Sequence, residues 1–319
     1  MFMFGTEQFF KSQHMGLLCR DEACSVYQMR NETGDGVATF YPVYPGISVM
    51  YSDFHMTDCP PRRFEKSRFI NIHHCLEGRV ESEVSNGTYI YLEPGDTMIE
   101  NFSMEHQYCS FPLCHFHGVV ITIAVEEAQA GMQEFLELFK INLNTLESAF
   151  AFRERPFILH GHASLDRLFS ELYQIPGSIK REYLRVKVLE LLLELKAMDF
   201  DTVEAERPYF YKTQIEKVKA IQALMTEHPD YHYTMEELAN RFDLSVSSLK
   251  LCFKGVYGVA IYTYMRNYRM NMAATLLTQT EKSIAEIAGQ VGYSNSSKFA
   301  RAFKEVKGVT PVEFRKVTI

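Results

Sequence analysis

TMEELANRFDLSVSSLKLCFKGVYG (Thr234–Gly258) and SIAEIAGQVGYSNSSKFARAFKEVKG (Ser283–Gly308) are two copies of one pattern, and their reading decides the fold of the last third of this 319-residue chain. Each copy opens with a hydroxyl residue followed three positions later by Glu, at Thr234/Glu237 and Ser283/Glu286. That is the capping-box pattern, in which both side chains satisfy free N–H groups at a helix start. Apolar residues at helical spacing follow, then a short break ending in Ser245 or Ser294. A second helix is predicted next, carrying Phe253-Lys254 or Phe303-Lys304 and stopping at Gly258 or Gly308. The offset between copies is 49 before the break and 50 from the aromatic onward, so the second copy has one more residue between its Ser and its Phe.

Two short helices joined by a tight break form a unit able to set its second helix in a DNA major groove. If Leu249 and Phe253 mark the buried side of the first such helix, its outer side carries Ser247, Lys250, Leu251 and Lys254. Phe299 and Phe303 leave Asn295, Ser296, Ser297, Lys298, Arg301 and Lys304 outward in the second. Short polar residues let the backbone approach a groove; Arg bridges guanine O6 and N7, Asn bridges adenine N6 and N7, and an apolar group meets the thymine methyl. Lys near the helix ends is expected on phosphates. The text Leu238-Ala239, Ser245, Leu249, Phe253-Lys254, Gly258, Arg269, Ala273, Ser283 to Ala288, Val291 to Ser294, Phe299, Phe303-Lys304, Gly308 and Pro311 resembles the DNA-binding domain of the AraC/XylS family of bacterial transcription regulators. The resemblance covers about 100 residues. It implies two helix-turn-helix units on a long connecting helix, reading adjacent major-groove segments. It places Ser247, Lys250 and Leu251, and Ser296, Ser297 and Arg301, at base-reading positions. Leu251 departs from the basic or polar residue common there in the family.

Charge is distributed accordingly. The whole chain carries −7, which argues against nucleic acid, but residues 1–207 hold 18 Lys and Arg against 30 Asp and Glu, whereas residues 208–319 hold 15 against 10. The basic excess therefore sits with the repeat. An apolar fraction of 46% is that of an ordinary globular protein. No stretch of about 18 apolar residues is present, so no membrane partner is expected. The first residues lack the basic start and apolar run of a signal peptide, and the seven cysteines are odd in number and without a CxxC pair. A cytoplasmic protein with reduced thiols is the expectation.

Upstream, residues 1–160 read as short strands between turn signals such as Pro45-Gly46, Asn86-Gly87 and Pro94-Gly95. Val80–Val84 and Tyr89–Leu92 around Asn86-Gly87 predict a β-hairpin. The expected fold class is α+β: an N-terminal cupin-like β-barrel (1–160), a helical dimerisation element (161–200), a charged linker (201–212) and an all-α double helix-turn-helix domain (213–319). Leu184, Val188, Leu191, Leu195 and Met198 are spaced 4, 3, 4, 3, an a/d seam expected to meet a second copy, although a stripe packed in its own domain would show the same spacing.

The barrel mouth is the default ligand site, with Tyr44, His73, Tyr91, His106 and His117 as candidates to hold an effector. His73 and His74 are adjacent, so in a strand they point to opposite faces, and no Glu follows His115 and His117 at ligand distance. No metal site, catalytic residue or cofactor is therefore expected. The function expected is a sequence-specific DNA-binding transcription regulator, not an enzyme, controlled by a small molecule in the N-terminal domain. Its expected partners are double-stranded DNA, an unidentified effector, a second copy of the chain and RNA polymerase. The competing reading is a metal-dependent cupin enzyme with a helical C-terminal domain, which stoichiometric metal would favour.

Overall fold

Along Phe69–Gly78, successive side chains enter two different layers. Ile70, Ile72 and His74 alternate with Asn71, His73 and Cys75, and all six are buried. A strand with both faces covered reads as an unbroken buried run, and the first unit is organised around it. The computed structural model describes residues 15–59, 68–84, 87–101, 108–151, 156–200 and 210–317, and divides into two units, Met1–Tyr209 and Phe210–Ile319.

In the first unit the strands are β1 (Met15–Arg20), β2 (Ser25–Asn31), β3 (Gly34–Tyr44), β4 (Ile47–His55), β5 (Asp58–Cys59), β6 (Phe69–Gly78), β7 (Val80–Val84), β8 (Thr88–Leu92), β9 (Asp96–Asn101), β10 (Tyr108–Ser110), β11 (Phe116–Ala124) and β12 (Phe157–His160). The helices are α1 (Val125–Gly131), α2 (Gln133–Leu138), α3 (Leu143–Ala151), α4 (Ala163–Tyr173) and α5 (Lys180–Ala197). An eight-stranded antiparallel sheet runs β1-β2-β3-β4-β11-β6-β9-β12, and a smaller one runs β8-β7-β10-β5. The β7–β8 hairpin pairs Val84 with Thr88 and Val80 with Leu92, and Gly87 has φ 68°, as an Asn-Gly turn requires. Asn86 itself lies outside the described residues.

One face of the large sheet shares an apolar layer with the small sheet: Ala38, Phe54, Cys75, Met98 and Phe116 cluster with Val80, Ile90, Leu92 and Cys109. The other face, with Ile47, Val49, Ile70, Ile72, Val119 and Ile121, is covered by α1 to α5. Period-two alternation sends each strand's residues to both layers.

The seam of α5 does not face outward. Leu184, Val188, Leu191 and Leu195 are at most 1% exposed within the chain's own core, and Leu192 beside them is fully buried. The large sheet has one apolar face that the small sheet does not cover, and α4 and α5 supply the surface that closes it. The seam expected to meet a partner is therefore a core stripe.

The second unit holds α6 (Lys212–Glu227), α7 (Met235–Arg241), α8 (Val246–Tyr257), α9 (Ile261–Gln279), α10 (Ile284–Gln290), α11 (Ser296–Lys307) and α12 (Pro311–Val317). The long helix α9 touches α6, α8, α10, α11 and α12, so both halves pack on it. Met270, Ala273 and Leu277 of α9 meet Ile287, Ala288, Phe299 and Phe303. Pro311 opens α12, where its missing N–H costs nothing.

Leu191→Ala is expected to lower stability by about 2–5 kcal/mol through the cavity it leaves. Leu138→Ala, at a position 73% exposed on α2, should change it by less than about 0.5 kcal/mol. Urea denaturation of the two variants checks the pair.

Candidate nucleic-acid interface

Two capping boxes begin α7 and α10 as the pattern requires. Thr234 Oγ1 accepts from the Glu237 N–H at 3.1 Å and Glu237 Oε2 accepts from the Thr234 N–H at 2.8 Å. Ser283 and Glu286 do the same at 3.2 and 2.7 Å. A third box, unread in the sequence, joins Thr310 and Glu313 before α12. These hydrogen bonds favour the ionised carboxyl. That of Glu237 is held low chiefly by the Thr234 N–H, that of Glu286 chiefly by the Ser283 hydroxyl, and that of Glu313 chiefly by the Thr310 N–H.

Between the helices the chain must turn through a left-handed residue. Asp243 takes φ 51° in the first copy and Gly292 takes φ 82° in the second. At Gly292 a Cβ would also meet the Pro229 and Asp230 carbonyl oxygens at 3.0 Å, so glycine serves both demands.

The second helices start at caps that differ in kind. Ser245 Oγ accepts from the Ser248 N–H at 3.0 Å. In the second copy the cap is Asn295, not Ser294: its Oδ1 accepts from Ser297 and Lys298 at 2.9 and 3.0 Å. The extra residue of the second copy is thus Ser294, in the turn, and the helices themselves carry no insertion. From the caps onward α8 and α11 match residue for residue. Leu249 and Phe299, then Phe253 and Phe303, are fully buried at equivalent turns. Gly258 and Gly308 close both helices in the left-handed region, donating to Lys254 O and Lys304 O at 2.8 and 2.9 Å.

This register fixes what the outer faces present. Ser247, Lys250, Leu251 and Lys254 are exposed on α8; Ser296, Ser297, Lys298, Arg301 and Lys304 are exposed on α11. Leu251 and Arg301 occupy the same helical position, six residues past the cap, and so do Lys254 and Lys304. Lys250 is matched by Ala300. Arg301 is 84% exposed, and its Nε donates to Glu305 Oε1 at 3.0 Å. Asn295 does not stand ready for adenine. That contact uses the carboxamide oxygen as acceptor, and this oxygen already takes two backbone N–H groups.

The effector candidates do not converge. His73 points between the sheets, where Nε2 lies 2.9 Å from Glu100 Oε1 and both side chains are 4% exposed. Tyr44 and His117 lie on the helix-covered face instead: Tyr44 Oη donates to Arg185 O at 3.2 Å, and His117 meets the Tyr173 ring edge-on at 5.7 Å. Tyr91 belongs to the opposite face of the small sheet from Ile90 and Leu92, and its hydroxyl donates to Glu81 Oε2 at 2.5 Å. His106 lies outside the described residues. Strand parity separates residues that sequence composition had grouped. The two adjacent histidines do diverge as expected: His74 stacks on Phe169 at 4.3 Å, with burial lowering its pKa to about 4.

Among the described residues, Glu93, Asp96 and His160 bring ligand-type atoms within 4.8 Å of one another. Their charges are met inside the protein, however. Arg79 pairs with Glu93, and His160 Nδ1 lies 2.7 Å from Asp96 Oδ1. His160 was not singled out in the sequence, because it reaches Asp96 only through the β9–β12 pairing.

A helix-turn-helix domain profile matches residues 238–317. The chain is similar to the transcriptional activator RhaR of Mannheimia succiniciproducens, at 30% identity over 103 residues, covering 32% of this chain and 37% of that protein. It is similar to the Msm operon regulatory protein of Streptococcus mutans, at 30% over 182 residues, covering 54% and 63%. Among solved structures it resembles the C-terminal domain of the response regulator yesN of Fusobacterium nucleatum, at 34% identity with TM-score 0.29, covering 30% of this chain and 95% of that one. The chain spans less than two thirds of the length of these two curated relatives. No helix among the described residues is long and apolar enough to cross a membrane.

Asn295→Ala should cost about 1 kcal/mol of stability, as loss of an N-cap does, and Ser294→Ala almost nothing. Thermal unfolding of the two variants separates a cap from a turn residue. A carboxyl whose pKa is lowered on folding stabilises above its unfolded value and loses that contribution as pH falls. The second unit is therefore expected to lose helix stability as the pH falls below the ordinary glutamate range, and circular dichroism in urea at graded pH would show it. The triple substitution of Glu237, Glu286 and Glu313 by Gln should flatten that acid limb.

Proposed function

We propose that this chain, similar over its second unit to AraC-type helix-turn-helix transcription regulators, binds double-stranded DNA in a sequence-specific way through α8 and α11, under control of a small molecule held in its first unit. The observation that carries this reading is the matched register of two capped helices on one connecting helix. Each is anchored by a fully buried Phe and turns short polar and basic side chains outward.

In this reading Ser247, Lys250 and Leu251 of α8, and Ser296, Ser297 and Arg301 of α11, face base edges. Arg301 bridges a guanine and Leu251 meets a thymine methyl. Lys254, Lys298 and Lys304 meet phosphates and give affinity without sequence information. Asn295 serves the DNA indirectly, by fixing where α11 begins. A cytoplasmic location agrees with Cys19, Cys24, Cys75, Cys114 and Cys252 as reduced thiols.

The protein acts as a homodimer and contacts RNA polymerase. The dimer surface differs from the seam the sequence offered. Ile179, Tyr183, Val186 and Leu193 are exposed, at 47, 38, 59 and 37%, and with Glu190 and Ala197 they are spaced 4, 3, 4, 3, 4. That is a second heptad stripe on the outer side of α5 and the turn before it, of the kind that pairs helices. The effector acts by shifting the population of DNA-competent dimers.

Gel-shift titration against the chain's own upstream region tests the reading. Arg301→Ala should lose about 5- to 150-fold in discrimination at one base pair. Lys254→Ala should weaken all duplexes alike and reduce the salt slope by about one. Unchanged binding by both variants would remove the assignment. Leu193→Glu is expected to yield monomers in sedimentation velocity without loss of fold. A thermal-shift screen should find a ligand that raises the melting temperature; none doing so would leave the first unit an assembly module.

A further inference from the structure

The outer face of α11 carries one acidic residue among its basic and short polar ones, and that residue bridges two cations. Glu305 Oε1 accepts from Arg301 Nε at 3.0 Å, one helical turn back. Its other oxygen, Oε2, accepts from Arg266 Nη1 at 3.5 Å, on the connecting helix α9. Glu305 is 46% exposed and Arg266 31%, so the bridge lies at the boundary between the reading face and the packed side.

We propose that Glu305 is the positioning residue of the second reading helix: it holds the Arg301 guanidinium in one orientation for guanine, with Arg266 holding Glu305 from behind. The inference rests on the DNA-binding reading above. An isolated arginine side chain loses much of its rotamer freedom when it is fixed. Binding the Nε edge to a carboxylate removes part of that freedom before DNA arrives, while the two Nη groups remain to donate end-on to O6 and N7. A carboxylate beside the duplex also repels phosphate, which lowers affinity for every sequence. Glu305 thus favours discrimination at the expense of general binding.

The first helix-turn-helix copy has no such device. At the equivalent positions stand Leu251 and Gly255. A side chain at 255 is excluded, because a Cβ there would sit 2.1 Å from the Phe210 ring. An apolar contact such as that of Leu251 needs no oriented fork.

The test is selection from a pool of duplexes with a randomised core, using the full chain, followed by titration of single-base variants of the selected site. Wild type, R301A, E305A, E305Q and R301A/E305A are compared. R301A should erase preference at one base pair. E305A and E305Q should lose about three- to tenfold of the preference at that same base pair, with a thermal midpoint close to wild type, since exposed ion pairs add little stability. Their affinity for random duplex should rise at low salt, and the double variant should show no further loss of preference. A uniform rise in affinity with discrimination intact would overturn the proposal, leaving Glu305 a repulsive charge only. Loss of preference at a different base pair would also overturn it, since Glu305 would then read its own base. Failure of the wild type to select any sequence would overturn the DNA-binding reading itself, a distinct result.

Discussion

Where α8 and α11 begin is set by one oxygen at each start: Ser245 Oγ on the Ser248 N–H, and Asn295 Oδ1 on the Ser297 and Lys298 N–H groups. A helix of fixed pitch has no freedom once its first residue and its buried side are chosen. The cap chooses the first, and Phe253 or Phe303 chooses the second. Every outward residue then follows by position alone. Moving the cap by one residue would rotate the face by about 100° and put Arg301 toward the core.

This constraint explains why one more residue in the second copy is tolerated. Ser294 extends the turn, ahead of the cap, and the left-handed residue that begins the turn is kept in both copies by Asp243 or Gly292. The same length change inside the helix would have broken the equivalence of Leu251 with Arg301. The two reading helices can therefore differ in chemistry while sharing a frame: an apolar contact in one, a braced cation in the other.

The first unit follows a different rule, the need to cover both faces of one large sheet. The small sheet closes one face, and α1 to α5 close the other. Closure consumes the most regular apolar stripe of α5, so that stripe is not available to a partner. It also divides the polar residues of the strands between two layers, which is why His73 stands with Glu100 while His117 stands with Tyr173.

The repeat, the capping boxes, the glycine stops and the β7–β8 hairpin were legible in the sequence, because each depends on residues within a few positions of one another. Local hydrogen bonding and helical period fix them whatever the rest of the chain does. What tertiary structure alone decided has a longer reach. Two heptad stripes run along the region of α5, and only the sheet determines which one is buried. Ser294 and Asn295 are both competent caps in sequence, and the packing of Phe299 against α9 and α10 selects the second. The pairing of Arg301 with Arg266 through Glu305 joins positions 35 apart, which no local pattern can specify.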